Sequence, residues 1–574
     1  MVRSEFHYDA LREKLKDGIP CPDDFSFPSH VISRWAHEQP DRPALLWVSH
    51  DFKDERVVSY KELEDMTHRA AKAFMDAGIK KGDRVLIQLP RIVEWWPAIY
   101  GLMRLGAIPC PGTSLLVAKD LKFRAETSKA VAFVGDADSC ARFEEVAPQV
   151  GVSLIFQART PGDGGLGRGR VDFQEAIERV PRGTKCEAPE GHKKTDLALV
   201  FFTSGTTGAP KMAEHLLGHT ITGYWYQAKP GTVVLCMADL GWAKASYGSM
   251  GTFAAGATCF VQPPPPGAFS PNQVVDAMHR YPIATLCAPP TIYRALVTTA
   301  GKSYLKKNPP KALRHCVGAG EPLNASVIKE WEEMTGVQIK DGWGQTETVI
   351  GVANFEGIPV REGSMGKAAP YFDVGIIDQD GRQLGDGQEG EIAIRTDVGA
   401  GSVWIFKGYV KNGKIDRRTK TYGGKTWYCT GDRGVRDTDG YFWFVGRDDD
   451  VITSSGYRIG PFEVESTLKT HPAVAESAAV GSPDLSRGEL VKAFVIVSEE
   501  YRGKIRGNKD AEKDLIADIL AHFRKSTAPY KVPREIEFVE ELPKTVSGKI
   551  RRIELRELER KRKADVLRQQ KSKL

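Results

Sequence analysis

Short apolar runs of strand length alternate with segments of helical periodicity along most of this chain. Residues 27–44 predict an amphipathic helix and a turn. Residues 56–77 predict a strand and then a helix opening at Tyr60-Lys-Glu-Leu-Glu, with Leu63, Ala70 and Phe74 at core-facing spacing. A turn at Gly82 feeds an apolar strand ending near Pro90, and 95–105 predict a helix stopped by Gly106. This alternation predicts an α/β fold whose mostly parallel sheets are covered by helices. Residues 158–170, containing Pro-Gly-Asp-Gly-Gly, predict an exposed loop, and prolines 263–266 punctuate the chain before a helix over 272–280.

One apolar run ends differently. Leu197-Ala-Leu-Val-Phe-Phe stops at Thr203-Ser-Gly-Thr-Thr-Gly-Ala-Pro-Lys211. Gly205 and Gly208 let backbone approach an anion, Thr203, Ser204, Thr206 and Thr207 offer donors, and Lys211 adds a compact charge, which together make a phosphate cradle. The Walker spacing is absent. Further loops close apolar strands at Ala238-Asp-Leu-Gly-Trp-Ala-Lys-Ala-Ser-Tyr-Gly248, Val317-Gly-Ala-Gly-Glu-Pro322 and Asp341-Gly-Trp-Gly-Gln-Thr-Glu347. In an open α/β sheet such loops converge on a ligand crevice. There Trp343 can stack a base, Thr346 can donate to a phosphate, and Glu347 is a hard oxygen ligand suited to Mg²⁺.

At 574 residues the chain calls for at least two domains. The formal charge is +6, and residues 551–574 alone carry ten Lys/Arg against four Asp/Glu, so the remainder is neutral and the basic end reads as a solvated tail, not a nucleic-acid footprint. Nine cysteines without C-x-x-C pairs argue against zinc and against a disulfide framework, and for a reduced compartment. The most apolar stretch, 92–111, carries Glu94, Arg104 and prolines and does not suit a membrane span. Residues 1–16 contain Glu5, Asp9 and Glu13, unlike a secretory signal or an acid-poor transit peptide. Ser572-Lys573-Leu574 matches the peroxisomal address, so peroxisomal localisation through the import receptor is expected.

With these motifs the chain resembles the acyl-CoA synthetases of the superfamily that also holds nonribosomal adenylation domains and firefly-type luciferases. Residues 203–211 resemble its phosphate loop, 341–347 its Gln-Thr-Glu motif, and Tyr428-Cys-Thr-Gly-Asp432 its ribose aspartate motif. Gly446-Arg-Asp-Asp-Asp-Val-Ile452 and Ser455-Gly-Tyr-Arg-Ile-Gly-Pro461 resemble the hinge and the segment after it, and Pro543-Lys-Thr-Val-Ser-Gly-Lys549 the C-terminal lysine motif. The match runs in order from about residue 30 to 556. Within the family, residues 240–244 and 486–494 are most similar to medium-chain acyl-CoA synthetases.

The resemblance implies a large N-terminal domain of mixed, mostly parallel sheets over 1–447 and a small mobile α+β C-terminal domain over 448–574, hinged at Asp449. It implies an AMP-forming acid:CoA ligase using ATP, Mg²⁺ and coenzyme A, with an acyl-adenylate intermediate. Lys549 would serve the α-phosphate and carboxylate, Thr206 and Glu347 the metal, and the 203–211 loop the β and γ phosphates. Asp432 would hold the ribose beside Arg447; Gly318, Gly320, Glu321, Asp341, Gly342, Trp343, Gly344, Gln345 and Thr346 complete the expected nucleotide site. Rotation about the hinge would bring Ser455, Gly456, Tyr457 and Arg458 to coenzyme A, with Arg487, Lys531 and Arg534 as phosphate contacts.

Acetyl-CoA synthetases carry two tryptophans before Gln-Thr-Glu, whereas here Gly344 follows Trp343. The resemblance therefore implies an opened acyl pocket lined by Trp242, Tyr247, Gly248, Gly318 and Gly344, and a medium-chain, branched or aryl acid. Delivery of the acyl group to a carrier protein is the competing enzymatic reading. A catalytically silent relative is a second, disfavoured by the presence of Lys549, Glu347 and Asp432.

Overall fold

The computed structural model describes residues 8–16, 18–160, 162–203, 210–226, 228–265, 270–320, 323, 325–397, 403–454, 457–484, 487–545 and 549–571. Its largest sheet has nine strands, and its centre is parallel: Ile339–Trp343, His315–Ala319, Ile283–Ala288, Val233–Cys236, Thr258–Val261 and Pro43–Val48 lie side by side in that order. Antiparallel strands Val352–Ala353, Lys367–Ala368 and Glu55–Ser59 form its edges. The central strands are buried, as strands covered on both faces must be. A second, all-parallel sheet orders Ile108–Pro111, Arg84–Gln88, Ala132–Gly135, Leu154–Gln157 and Val171–Asp172.

Helices Tyr60–Asp76 and Trp95–Leu105 pack against each other with small residues at the crossing, because a Cβ on Gly101 would stand 2.8 Å from Cβ of Ala70. The first starts at Ser59, whose hydroxyl accepts Glu62 N–H at 3.1 Å. The second is buried on every side and stops at Gly106, φ 75°. It is a core helix, and its Arg104 donates to Thr67 Oγ1 at 2.7 Å and Ser33 Oγ at 2.9 Å while burial lowers its pKa to about 10. Over 27–44 the chain forms a π-helical turn Pro28–Ile32, a helix Ser33–Glu38 and the start of strand Pro43–Val48. That strand pairs with its chain neighbour Glu55–Ser59 on one side and with the distant Thr258–Val261 on the other, and local periodicity does not reveal the second partner. No helix among the described residues is long and apolar enough to cross a membrane.

Two antiparallel sheets complete the large N-terminal part. One orders Lys414–Asp416, Gly408–Lys411, Lys211–Leu216 and Leu197–Thr203; the other is built on Lys425–Arg436, flanked by Glu389–Arg395, Thr419–Tyr422 and Phe442–Arg447, with Val374–Ile377 outside. The smaller C-terminal part centres on the long hairpin Val474–Asp484 and Gly488–Val497, joined by Ile452–Ser454, Tyr457–Ile459 and Glu535–Phe538.

The basic end departs from the solvated tail expected from charge. Residues Arg552–Lys571 are helical, and the helix is tied to the C-terminal part through ion pairs of Arg552 with Glu465 at 2.6 Å, Arg562 with Glu537 at 2.8 Å and Lys563 with Glu535 at 2.6 Å. At its root Lys492 Nζ lies 2.7 Å from buried Glu559 and 2.8 Å from Glu537. Charge counting along the chain cannot see carboxylates that the fold places opposite it.

Candidate active site

Strand Ile339–Trp343 of the large sheet ends beside the middle of strand Lys425–Arg436, and a web of side chains joins them. Trp343 Nε1 donates to Asp432 Oδ2 at 2.9 Å; Gln345 Nε2 donates to the same oxygen at 2.8 Å and to Thr430 O at 2.9 Å. The Tyr428 hydroxyl donates to Gln345 Oε1 at 3.2 Å. In the strand register Asp432 faces Arg447, whose Nη1 lies 3.3 Å from Asp432 Oδ1, and among the described residues that oxygen accepts no hydrogen bond. Burial raises the Asp432 pKa, opposed by Arg447, Trp343, Gln345 and the charge of Lys549. The carboxylate is thus oriented through one oxygen and left with acceptor capacity on the other.

Glu347 is buried, and the Tyr409 hydroxyl donates to its Oε1. Its backbone carbonyl accepts Phe406 N–H at 2.7 Å, and the Phe406 ring stands edge-on to Tyr409 and Tyr428. Among the described residues no Lys, Arg or His nitrogen lies within 4.0 Å of the Glu347 carboxylate. Lys211 Nζ sits 5.2 Å from the Tyr409 ring centroid, and Thr203 pairs with Lys211 across two antiparallel strands. Ser204, Gly205, Thr206, Thr207 and Gly208 lie outside the described residues, as does Glu321. Thr346 is half-buried between Gln345 and Glu347.

At the ends of the parallel strands, Asp341 keeps part of its surface exposed, yet desolvation of its carboxyl pushes its pKa up to about 8 against hydrogen bonds from Gly342 and Leu323 N–H. Lys244 Nζ donates to Ala319 O at 2.7 Å, tying the 238–248 segment to this crevice. Gly320 has φ 104° and open space beside it; a Cβ on Gly318 would lie 3.2 Å from Leu323 and 3.8 Å from Asp341 Oδ1.

The acyl-pocket residues divide. Gly248 lines a cavity of about 30 Å³ with Trp96, Cys236, Leu240 and Ser249, behind helix Ala243–Ala254. Tyr247 faces elsewhere: its hydroxyl lies 2.8 Å from His215 Nδ1 and 3.0 Å from His219 Nδ1 in a buried cluster. Trp242 occupies the residue before the helix and is half-buried. The expectation at Gly344 needs correction. A Cβ there would stand 1.7 Å from the Val349 carbonyl oxygen, so the space beside it is filled by backbone and the missing side chain opens no room.

From the C-terminal part, exposed Lys549 comes close enough to Asp432 for its charge to act on that carboxylate, while Thr545 brackets it through hydrogen bonds of 2.7 and 3.1 Å. Arg447 Nε lies 3.6 Å from Asp449 Oδ1. Tyr457 and Tyr530 stack at 4.4 Å with both rings exposed, and Lys531 Nζ pairs with Glu463 at 2.6 Å. Gly488 pairs with Ser454, setting exposed Arg487 beside that end of the sheet, and Arg534 is also exposed. Ser455, Gly456 and the Arg458 side chain lie outside the described residues. Sequence reasoning missed Tyr409, the hydroxyl partner of Glu347, and the role of Tyr428 as more than a motif position. An isolated tyrosine on a short strand carries no local signal of a carboxylate brought to it from elsewhere in the chain.

Comparison with known proteins agrees with this geometry. The model of the AMP-binding enzyme family matches residues 32–410, and that of the AMP-binding enzyme C-terminal domain matches 463–549. The mitochondrial acyl-coenzyme A synthetase ACSM4 of Homo sapiens is 41% identical over 556 residues, covering 94% of this chain and 91% of its own. Among solved structures, the anthranilate CoA ligase AuaEII in complex with anthranoyl-AMP has TM-score 0.81 and 28% identity, covering 95% of this chain and 99% of its own. The acyl-CoA synthetase of Brucella canis has TM-score 0.70 and 34% identity, covering 97% and 99%. The ACSM3 and ACSM4 relatives are named as mitochondrial, which overturns the peroxisomal localisation and import-receptor partner expected from Ser572-Lys573-Leu574. Three residues recur too readily to outweigh relatives matched over nearly the whole chain. By the family match and by identity along its length, this chain belongs to the AMP-binding enzymes, as an AMP-forming acyl-CoA synthetase.

Proposed function

We propose that this acid:CoA ligase adenylates a medium-chain, branched or aryl carboxylic acid in a site built on Asp432, Glu347 and Lys549, and then passes the acyl group to coenzyme A after its C-terminal part rotates at Asp449. The observation that carries the reading is the buried Asp432 carboxylate, oriented by Trp343, Gln345 and Arg447, on which the charge of Lys549 also acts.

A carboxylate must approach an anionic α-phosphate while pyrophosphate departs, so cations set where charge develops carry most of the catalysis. Lys549 neutralises the approaching carboxylate and the α-phosphate. Asp432 accepts from the ribose hydroxyls through the oxygen left without a donor, and Arg447 holds it. Trp343 and the backbone at 318–320 border the base, and the 203–211 loop with Lys211 receives the β and γ phosphates. Glu347 suits a magnesium ion, being a buried carboxylate with a hydroxyl partner and no cation within 4.0 Å among the described residues. Thr206 would be its second protein ligand, and the bound ion would neutralise phosphate charge.

The thiol of coenzyme A needs the path that Lys549 occupies, which favours a boundary between 1–447 and 448–574 with Asp449 as pivot. Tyr457, Arg458, Arg487, Lys531 and Arg534 would then meet the coenzyme. An acid larger than acetate is supported by likeness to an anthranilate ligase, an enzyme of an aryl acid. The test separates the half-reactions. Lys549→Ala should abolish acid-dependent ATP–pyrophosphate exchange and largely spare acyl-CoA formation from supplied acyl-adenylate; equal loss of both would overturn the two-state assignment. Mass spectrometry of acyl-CoA from acids of graded length and aryl acids identifies the substrate.

A further inference from the structure

Among the described residues five other than glycine have left-handed backbone, and two of them, Val349 and Arg418, border the cluster of Glu347, Asp432 and their partners. Arg418 has φ 53°, its N–H donates to Asp416 Oδ1 at 2.9 Å, and its carbonyl accepts Cys429 N–H at 2.9 Å. Strained backbone of this kind persists where the surroundings or the function demand it. The guanidinium is half-buried and turned to the site. Its Nη2 stands 3.5 Å from where a Cβ on Gly431 would be, and Arg447 Nη2 stands 3.6 Å from the same point. Gly431, φ 73°, leaves that space open immediately before Asp432.

Two guanidinium groups therefore converge on the one-carbon space that glycine leaves at 431. Arg447 has carboxylates to offset it, Asp432 at 3.3 Å and Asp449 at 3.6 Å. Arg418 has none within 4.0 Å among the described residues. Its charge also reaches the Tyr409 and Tyr428 hydroxyls: burial raises both pKa values and Arg418 opposes the rise. Arg418 thus lies between the Asp432 side of the site and the Glu347–Tyr409 side, where Lys211 also stands over the Tyr409 ring. Like charges held together next to a glycine gap are unfavourable alone and become favourable around an anion, and guanidinium is the group best suited to bridge phosphate oxygens.

We infer that Arg418 is a nucleotide-binding residue, which with Arg447 grips the polyphosphate of ATP across Gly431 and retains the pyrophosphate as it forms. This rests on the ligase reading given above.

The test is Arg418→Ala and Arg418→Lys in the full chain. Arg418→Ala should raise KM for ATP and the inhibition constant of pyrophosphate by about tenfold or more, with Arg418→Lys intermediate, while KM for coenzyme A and the rate from supplied acyl-adenylate stay within about twofold. ATP and pyrophosphate constants unchanged within about twofold would overturn the inference, and so would equal losses in both half-reactions, which mark a structural role. Calorimetric titration of wild type and Arg418→Ala with ATP alone and with pyrophosphate alone needs no acid. If wild type activates no acid, these titrations still decide the matter: about tenfold weaker binding to the variant supports the inference, and equal binding overturns it.

Discussion

The indole N–H of Trp343 donates to Oδ2 of Asp432 at 2.9 Å, stitching the last residue of a parallel strand to the centre of a separate antiparallel sheet. Both residues belong to the nucleotide-site set expected from sequence, yet the bond gives Trp343 a task beyond lying flat under a base. With Gln345 it fixes one oxygen of a buried carboxylate, and Arg447 approaches the other. Trp343→Phe keeps an aromatic ring, smaller than the indole, and removes the donor. It should raise KM for ATP by about three- to tenfold, the scale of one ordinary hydrogen bond, because Gln345 still holds the same oxygen, with kcat less affected. Steady-state kinetics at saturating acid check this, and an unchanged KM would show that Gln345 suffices.

The Tyr409 hydroxyl does for Glu347 what Trp343 does for Asp432. Tyr409→Phe should leave the fold intact while lowering pyrophosphate exchange by about tenfold and shifting the magnesium dependence to higher concentration. Exchange measured across a magnesium series distinguishes loss of positioning from general damage, because only the former is partly restored by added metal.

Gly344 tests the corrected account of the acyl pocket. Its missing Cβ makes way for the carbonyl of Val349, a β-branched residue held at φ 59°. Gly344→Ala should therefore lower Tm by several degrees and reduce activity toward short and long acids alike. If instead the variant were stable and merely shifted its preference toward shorter acids, the glycine would belong to the acyl pocket after all.

Asp341 predicts a pH dependence. Burial raises its pKa from the ordinary 3.8 to about 8, so the folded protein favours the protonated carboxyl and its stability falls as pH climbs between those values. Asp341→Asn removes the titration while keeping the size and shape. Relative to wild type it should gain stability that grows from pH 5 to pH 8, by about 1 kcal/mol or more at the upper end. Thermal unfolding at a series of pH values reads this directly, and a constant difference between the two proteins would contradict the assignment.

Alternating strands and helices, the buried character of 95–105, and the ordered motifs around Lys211, Glu347, Asp432 and Lys549 were legible in the amino-acid order, because periodicity and turn chemistry act over a few residues and motifs are local strings. The sequence by itself thus determined the fold class and the family, and it named the residues proposed to carry the chemistry. Only the tertiary structure decided what those residues touch. Tyr409 meets Glu347, Trp343 meets Asp432, Arg418 meets Arg447 across Gly431, and Val349 closes on Gly344. The Tyr247 hydroxyl meets two buried histidines, and the basic end forms a helix against carboxylates of the C-terminal sheet. The physical reason is common to all of these. Hydrogen bonds, ion pairs and steric contacts fall off within a few ångströms, and the chain brings such partners that close only when distant strands have taken their places in the sheets.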